Sequence, residues 1–335
     1  MIKVGINGFG RIGRIFFRSA MNMSNIKVVA INDLADVKIL AHLLKYDSIH
    51  GRLDANISVE GDDILKINGN EIKVFCKRNP AEIPWDEYGV DVVIESSGVF
   101  RSREGASLHF KRGVKYVVVS APMDDPDIMI LPYINEDKFD PNKHKIISMA
   151  SCTTNALAPL IKVLLENFGI VKGHMTTIHA YTNDQRLLDA IHRDPRRARA
   201  AAVNIVPTTT GASKAIFYIY PELKGKLTAM SIRVPVVDGS LIDLNVEVEK
   251  NVTREEVNQV FKEAAEGDLS ESLLYVDEPI VSSDIVGLPY LSIFDSLLTN
   301  VVGGNLVKVI SWYDNEFGYS YHLAKLVSRI FKGVI

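Results

Sequence analysis

A chain of 335 residues that is 47% hydrophobic and 24% charged can bury a large core, and its length favours two domains over one. The formal net charge of −3 gives no overall basic footprint, so nucleic acid is a poor candidate partner. Only two cysteines occur, Cys76 and Cys152, which excludes a disulfide framework and a cysteine-rich metal cluster and fits a reducing cytoplasm. No metal site is expected. The opening MIKVGING lacks a long apolar core, and no run approaches the ~18 apolar residues of a membrane span, so the chain reads as unexported and soluble.

Residues 1–150 alternate short β-branched runs with helical ones. IKVGIN predicts a strand, RIGRIFFRSAMNM a helix, IKVVAIN a strand and VKILAHLLKY a helix, the βαβ rhythm of a parallel sheet. DILKINGNEIKVF alternates around Asn68-Gly69 and predicts a hairpin. DVVIES, KYVVVS and HKIISMA are continuous apolar strands of the kind buried on both faces. After Cys152 the texture changes. TNALAPLIKVLLENF has helical spacing, and TREEVNQVFKEAAEG opens with a Thr253 to Glu256 capping box and stops at Gly267. HMTTIHAYT, LTAMSIRVPVVDGSLIDLNVEVEK and GNLVKVISWYD predict strands of a half-exposed, antiparallel sheet, and SYHLAKLVSRIFKGV predicts an amphipathic terminal helix. The expected fold class is α/β: a Rossmann-type doubly wound parallel sheet (1–150), an α+β domain with a mostly antiparallel sheet (151–314), and a C-terminal helix (315–335).

GINGFGRIGR carries Gly8, Gly10 and Gly13 in G-x-G-x-x-G order between an expected strand and helix. The three glycines serve a tight turn, a close approach of backbone to pyrophosphate, and close helix-to-strand packing. The helix N-terminus then favours the anion through its N–H groups and dipole. Alone such a string is weak evidence, because glycines mark plain turns. Its context strengthens it: the next apolar run ends in Asp33, about 20 to 25 residues on, where a carboxylate can accept both ribose hydroxyls and would repel a 2′-phosphate. This favours NAD over NADP.

Cys152 follows a buried strand and begins a helix, where the dipole favours thiolate. An inert core cysteine fits the same position. His179 in TTIHAYT ends another apolar run and is a candidate base, although a structural histidine fits equally. The run HRDPRRARA at 192–200 is either a solvated loop or an anion site. A nicotinamide site, a helix-capping thiol and a strand-end histidine together describe a covalent aldehyde dehydrogenase.

The strings KVGINGFGRIGR, LLKYDSIHGRL, ASCTTNALAPL, TTIHAYTNDQR, RRARAAAVNIVPTTTGASKA, RVPVVDGS and SWYDNEFGYS occur in this order over essentially the whole chain. In them the sequence resembles the phosphorylating glyceraldehyde-3-phosphate dehydrogenases of the bacterial type. The resemblance implies that Cys152 is the nucleophile and His179 the base, and that a thiohemiacetal and then a thioester form on Cys152 before inorganic phosphate releases 1,3-bisphosphoglycerate. It implies Thr182 and Arg233 at the substrate phosphate, Ser151, Thr153, Thr210 and Gly211 at the attacking phosphate, and Arg199 within reach of both anions. For NAD it implies Asn7, Gly8, Phe9, Gly10, Arg11, Ile12 and Gly13 at the pyrophosphate turn, with Asp33 at the ribose and Arg78 by the adenine. Ser97 and Ser120 would line strand ends, and Asn315 and Tyr319 would fix the nicotinamide. A homotetramer is implied too, with the loop at 180–203 near a neighbour's cofactor site.

Some positions depart from the family pattern. Met149 replaces the usual asparagine of SNASCTTN, and Ala190-Ile191 replaces the Leu-Pro frequent in NAD-specific relatives, although Leu34 after Asp33 has the NAD form. NAD is the expected cofactor, with NADP use not excluded. The nearest rival is erythrose-4-phosphate dehydrogenase, which usually lacks the HAYTNDQ and TTTGA forms. The rival of another class is a non-catalytic NAD-binding regulatory paralogue, whose hallmark would be loss of Cys152, His179 or Arg233, and all three are present.

Overall fold

The computed structural model describes all residues, 1–335. It divides into two compact units, one of Met1–Ile130, Asn135–Ala150 and Ser320–Ile335, the other of Leu131–Ile134 and Ser151–Tyr319.

The first unit holds a nine-stranded sheet. Its strands are β1 (Ile2–Asn7), β2 (Ile26–Asn32), β3 (Ile57–Glu60), β4 (Ile64–Ile67), β5 (Asn70–Phe75), β6 (Val92–Glu95), β7 (Tyr116–Val119), β8 (Ile128–Met129) and β9 (Ile146–Ser148). The order is β3-β4-β5-β2-β1-β6-β7-β9-β8, with only the β3-β4-β5 pairs antiparallel. Helices α1 (Arg11–Ala20), α2 (Val37–Lys45) and α3 (Arg103–Ser107) supply connections. Every residue of β6 and β7 is buried, which is why their sequences are continuous apolar runs. The hairpin turn is as expected: Asn68 and Gly69 both take positive φ, 50° and 81°, as a two-residue type I′ connection requires. Helix α1 stops before the expected Met23, because the N–H groups of Asn22 and Met23 bond three residues back to Ser19 and Ala20 and turn the chain into β2. The chain goes from β1 through α1 to β2 on one side, and β6 lies on the other side of β1. Strand order therefore reverses between β1 and β6, and a crevice opens at their carboxyl ends.

The second unit holds a seven-stranded sheet of order β11-β12-β10-β13-β16-β15-β14. Its strands are β10 (Lys172–Ala180), β11 (Val206–Thr208), β12 (Leu227–Val234), β13 (Ser240–Glu247), β14 (Leu273–Val276), β15 (Ser292–Val302) and β16 (Leu306–Tyr313). Four pairs are antiparallel, and β10-β12 and β14-β15 are parallel, so the sheet is mixed but mostly antiparallel as expected. Strand β13 alternates buried and half-buried residues, the pattern of a strand with one face on the core. The helices are α4 (Cys152–Phe168), α5 (Ala212–Ile219), α6 (Arg254–Glu266) and α7 (Phe317–Ile330). The capping box of α6 is present, Thr253 N–H donating to Glu256 and Glu256 N–H to the Thr253 hydroxyl. Helix α4 is buried along most of its length and packs against α5, α6 and strands β13, β15 and β16. Most of α7 belongs to the first unit, where the Phe331 ring beyond it lies 4.5 Å from that of Tyr116 and Arg329 pairs with Glu136 at 3.0 Å.

Candidate active site

In the first unit the glycine turn has the geometry its sequence suggests. Gly8 has φ +91°, and a Cβ there would meet the Ser97 backbone at 2.5 Å. A Cβ on Gly13 would lie 2.3 Å from the Gly8 carbonyl oxygen, so helix and turn touch through bare backbone. Gly10 differs: it is the N-cap of α1, offers no capping side chain, and a Cβ on it would meet nothing within 4 Å. The helix end thus opens on space that a diphosphate can enter, and the residues present fit NAD. Asp33 lies one residue beyond β2, its carboxylate accepting the N–H of Phe9 at 2.7 Å and of Ala35 at 3.1 Å. Asn7 is buried and its amide donates to Glu95 at 2.5 Å. Ile12 lies in the first turn of α1. Ser97 and Ser120 both bond to Glu95, Ser97 to its carboxylate and Ser120 to its carbonyl. Arg78 is exposed. The Arg11 guanidinium grips the Asp47 carboxylate bidentately, so it anchors the loop at 47–51.

In the second unit Cys152 is the first residue of α4, with Ser151 as N-cap. The residue before that, Ala150, has φ 55°, a left-handed conformation rare for a residue with a Cβ, at the point where the strand-to-helix turn is sharpest. Strand period two puts Met175, Thr177 and His179 of β10 on one buried face. Parallel register then sets Arg233 of β12 directly beside His179. The Cys152 sulfur lies 3.6 Å from His179 Nε2. His179 Nδ1 faces the Ala180 carbonyl at 2.7 Å, and Arg233 Nη1 donates to that carbonyl at 3.0 Å and lies 2.9 Å from Nδ1. The carbonyl only accepts and the guanidinium only donates, so Nδ1 has a partner in either tautomer; in the one whose Nδ1–H is directed at the carbonyl, Nε2 is the acceptor facing sulfur.

The electrostatics favour neutral resting partners. Burial pushes the Cys152 thiol up to about 11, against the opposing pull of Arg233 and of Thr153. Burial also pushes His179 down to about 3, helped by the Arg233 and Arg197 cations, while the Ala180 carbonyl acts the other way. Burial thus favours the thiol and the neutral imidazole, while the end of α4 and Arg233 pull toward the thiolate. Moving the proton from Sγ to Nε2 creates adjacent opposite charges and avoids either buried charge alone.

The expected anion ligands are distributed unevenly. Thr182 accepts from Arg233 Nη1 at 3.4 Å, so these two are together. Gly211 is the exposed N-cap of α5, and the Thr210 hydroxyl accepts the N–H of Ala212 at 3.3 Å. The Ser151 hydroxyl caps α4 by accepting the Thr154 N–H at 3.1 Å, and the buried Thr153 hydroxyl meets Tyr313 Oη at 2.9 Å. Arg199 is exposed and paired with Asp189 at 2.9 Å. The arginine whose charge reaches His179 and Arg233 is instead Arg197, which bonds the Thr208 hydroxyl at 2.9 Å and the Thr209 carbonyl at 3.1 Å and also pairs with Asp184. Asn315 is buried and accepts from Ser240, whose hydroxyl oxygen takes the Ala180 N–H at 3.0 Å. Tyr319 is buried, which pushes its hydroxyl well above the ordinary range. Met149 is fully buried in the first unit, its N–H bonded to the Val119 carbonyl, so a thioether suits the position.

Tyr313 was missed by sequence reasoning. Its hydroxyl bridges those of Thr153 and Thr177 at 2.9 and 2.8 Å, tying the nucleophile's helix to the histidine's strand, and its ring lies 5.9 Å from that of His179. Its signal was its place at the end of an apolar strand, two residues before Asn315.

A dinucleotide turn in one unit and a thiol paired with an imidazole in the other are the two parts that a nicotinamide-dependent dehydrogenase working through a cysteine requires. Residues 151–315 match the glyceraldehyde 3-phosphate dehydrogenase C-terminal domain, and residues 2–103 match the NAD binding domain of the same enzymes. The chain is 58% identical to glyceraldehyde-3-phosphate dehydrogenase 2 of Streptomyces avermitilis over 97% of both chains. It is 56% identical to the glyceraldehyde-3-phosphate dehydrogenase of Geobacillus stearothermophilus over 98% of both, and 54% identical to glyceraldehyde-3-phosphate dehydrogenase 1 of Bacillus subtilis over 99% of this chain and 98% of that one. The chain belongs to the glyceraldehyde-3-phosphate dehydrogenase family.

Proposed function

We propose that the protein is an NAD-dependent glycolytic oxidoreductase that converts D-glyceraldehyde 3-phosphate and inorganic phosphate into 1,3-bisphosphoglycerate. The observation that carries this reading is the Cys152 sulfur at the start of α4, 3.6 Å from His179 Nε2, with Arg233 against the other nitrogen of that ring. His179 takes the thiol proton as sulfur attacks the aldehyde carbon, giving a thiohemiacetal whose oxygen is stabilised by the imidazolium and the Cys152 N–H. NAD, when bound, supplies the hydride acceptor. After oxidation Cys152 carries a thioester, which holds the energy of oxidation until inorganic phosphate attacks the acyl carbon and the thiolate leaves. Arg233 and Thr182 hold the substrate phosphate, and Ser151, Thr153, Thr210 and Gly211 receive the attacking one. Arg197 supports both through the β11 loop, a part more consistent with its position than with that of Arg199. Asn315 and Tyr319 orient the nicotinamide, and Asp33, Arg78, Ser97 and Ser120 contact the rest of the cofactor.

The test is an assay of NADH formation with glyceraldehyde 3-phosphate and with erythrose 4-phosphate, with and without phosphate. Strong stimulation by phosphate and preference for the three-carbon aldehyde are expected. Erythrose 4-phosphate as the better substrate without phosphate stimulation moves the chain to the rival activity, and no turnover with bound NAD marks a regulatory paralogue.

No helix of the chain is long and apolar enough to cross a membrane. The cytoplasm suits a chain whose reactive thiol must stay reduced. A homotetramer is supported by Leu187, Leu188, Ile191, Val203 and Ile205, all exposed in one loop region and Ile191 to 95%, an apolar patch that a second copy would cover. Light scattering at assay concentration tests it, and a monomeric mass overturns it.

A further inference from the structure

Glu95, the last residue of β6, is a buried carboxylate that neither a lysine nor an arginine neutralises. It is 2% exposed and accepts four hydrogen bonds. One oxygen takes the Asn7 amide at 2.5 Å and His109 Nε2 at 3.0 Å; the other takes the Ser97 N–H at 2.9 Å and the Ser97 hydroxyl at 2.5 Å. A buried carboxyl group needs hydrogen-bond partners in place of the water it has lost, and these four supply them.

The donors are themselves held. Trp85 Nε1 donates to His109 Nδ1 at 3.1 Å, and both side chains are fully buried. An indole only donates, so Nδ1 accepts and the ring's hydrogen sits on Nε2, facing Glu95. Turning the ring over would leave two buried groups mismatched. Asn7 Oδ1 accepts from Asn32 at 2.8 Å, and Asn32 bonds the Lys77 carbonyl and N–H at 2.9 Å each. One chain of hydrogen bonds thus crosses the carboxyl ends of β6, β1 and β2 beneath the glycine turn. The turn rests on the same support: Gly8 is packed against the Ser97 backbone, and the Ser96 hydroxyl donates to the Gly8 carbonyl at 2.8 Å.

We infer that Glu95 is a positioning residue for the dinucleotide, a brace that holds the Gly8 turn and the Ser96-Ser97 turn in register on either side of the crevice where strand order reverses. The inference rests on the NAD-dependent reading above. The phosphate-facing N–H groups act at hydrogen-bond range, so a shift of either turn weakens binding without touching the thiol chemistry.

The test is NAD binding by calorimetry on the full chain carrying Glu95→Gln, which keeps the size of the side chain but turns an N–H group toward donors. Binding about tenfold weaker is expected, from the loss of charge-assisted hydrogen bonds. The KM for NAD should rise by a similar factor, with kcat at saturating NAD within about twofold and the rate of Cys152 alkylation by iodoacetamide in the NAD-free protein unchanged. Wild-type affinity in a folded Glu95→Gln protein overturns the inference, and so does a parallel loss of alkylation, which marks general disruption. Should that variant fail to fold, Trp85→Phe decides: it frees His109 Nδ1, and about threefold weaker NAD binding supports the brace while unchanged binding overturns it. A wild-type chain that binds no NAD removes the dinucleotide reading, and the brace falls with it.

Discussion

Helices α1 and α4 begin in opposite ways. The N-cap of α1 is Gly10, with no side chain to fill the end and open space before it; that of α4 is Ser151, whose hydroxyl already occupies the Thr154 N–H. Both ends carry the same partial positive charge. In α1 the end is left bare, and in α4 a side chain takes one N–H while the helix begins at Cys152. One backbone device therefore serves binding in the first unit and chemistry in the second.

Substitutions can break this division of labour. The largest effect is expected from Cys152→Ser, with turnover falling at least about 10⁴-fold while calorimetry shows NAD bound as in the wild type; residual full activity would remove the chemistry from α4. His179→Asn should lower kcat about 10²–10⁴-fold, again with NAD binding preserved. Gly13→Ala acts on the other side: its Cβ would meet the Gly8 carbonyl oxygen at 2.3 Å, so the turn must shift. NAD binding weakened more than tenfold and stability lowered by about 1–3 kcal/mol are expected in denaturant titration, with iodoacetamide reactivity of Cys152 retained.

The smallest effect concerns Asp47, which holds Arg11 at the start of α1. Burial raises its carboxyl, but the Arg11 hydrogen bond and the N–H groups of His50 and Ile49 outweigh that and hold it well below the usual carboxylate range. A carboxyl whose pKa is depressed in the folded state contributes stability above its unfolded value, near ~4, and loses it as pH falls through the folded value. Asp47→Asn should therefore lower the melting temperature at neutral pH, and the gap from wild type should narrow as pH falls below ~4. A gap that stays constant in acid would show that the pair adds nothing by charge.

Periodicity made most of the first unit legible, because β6 and β7 are buried on both faces and the glycine turn follows from backbone geometry. Strand β15 escaped for a physical reason: it buries Asp295, Ser296 and Thr299 and its register shifts between Asp295 and Asn300, so no clean alternation survives. Within the site, Cys152 and His179 stood out by residue type. The choice between Arg197 and Arg199 did not, since neighbouring arginines in one run look alike until the fold turns one inward and leaves the other on the surface beside Asp189. Tyr313 was hidden because its partners, Thr153 and Thr177, lie far away in sequence, and Glu95 because its link to the glycine turn runs through the distant Asn7.

Asp33 has a consequence for any attempt to change the cofactor. Its carboxylate supports the turn through the Phe9 N–H at 2.7 Å, and under the function proposed above it is also the group that would face a 2′-phosphate. Replacing it by a small neutral residue removes the repulsion and, in the same step, loosens the loop on which either dinucleotide must rest. Cofactor preference and loop order are inherited together here, so a redesign toward NADP has to restore a partner for the Phe9 N–H before the gain in charge compatibility can appear as affinity.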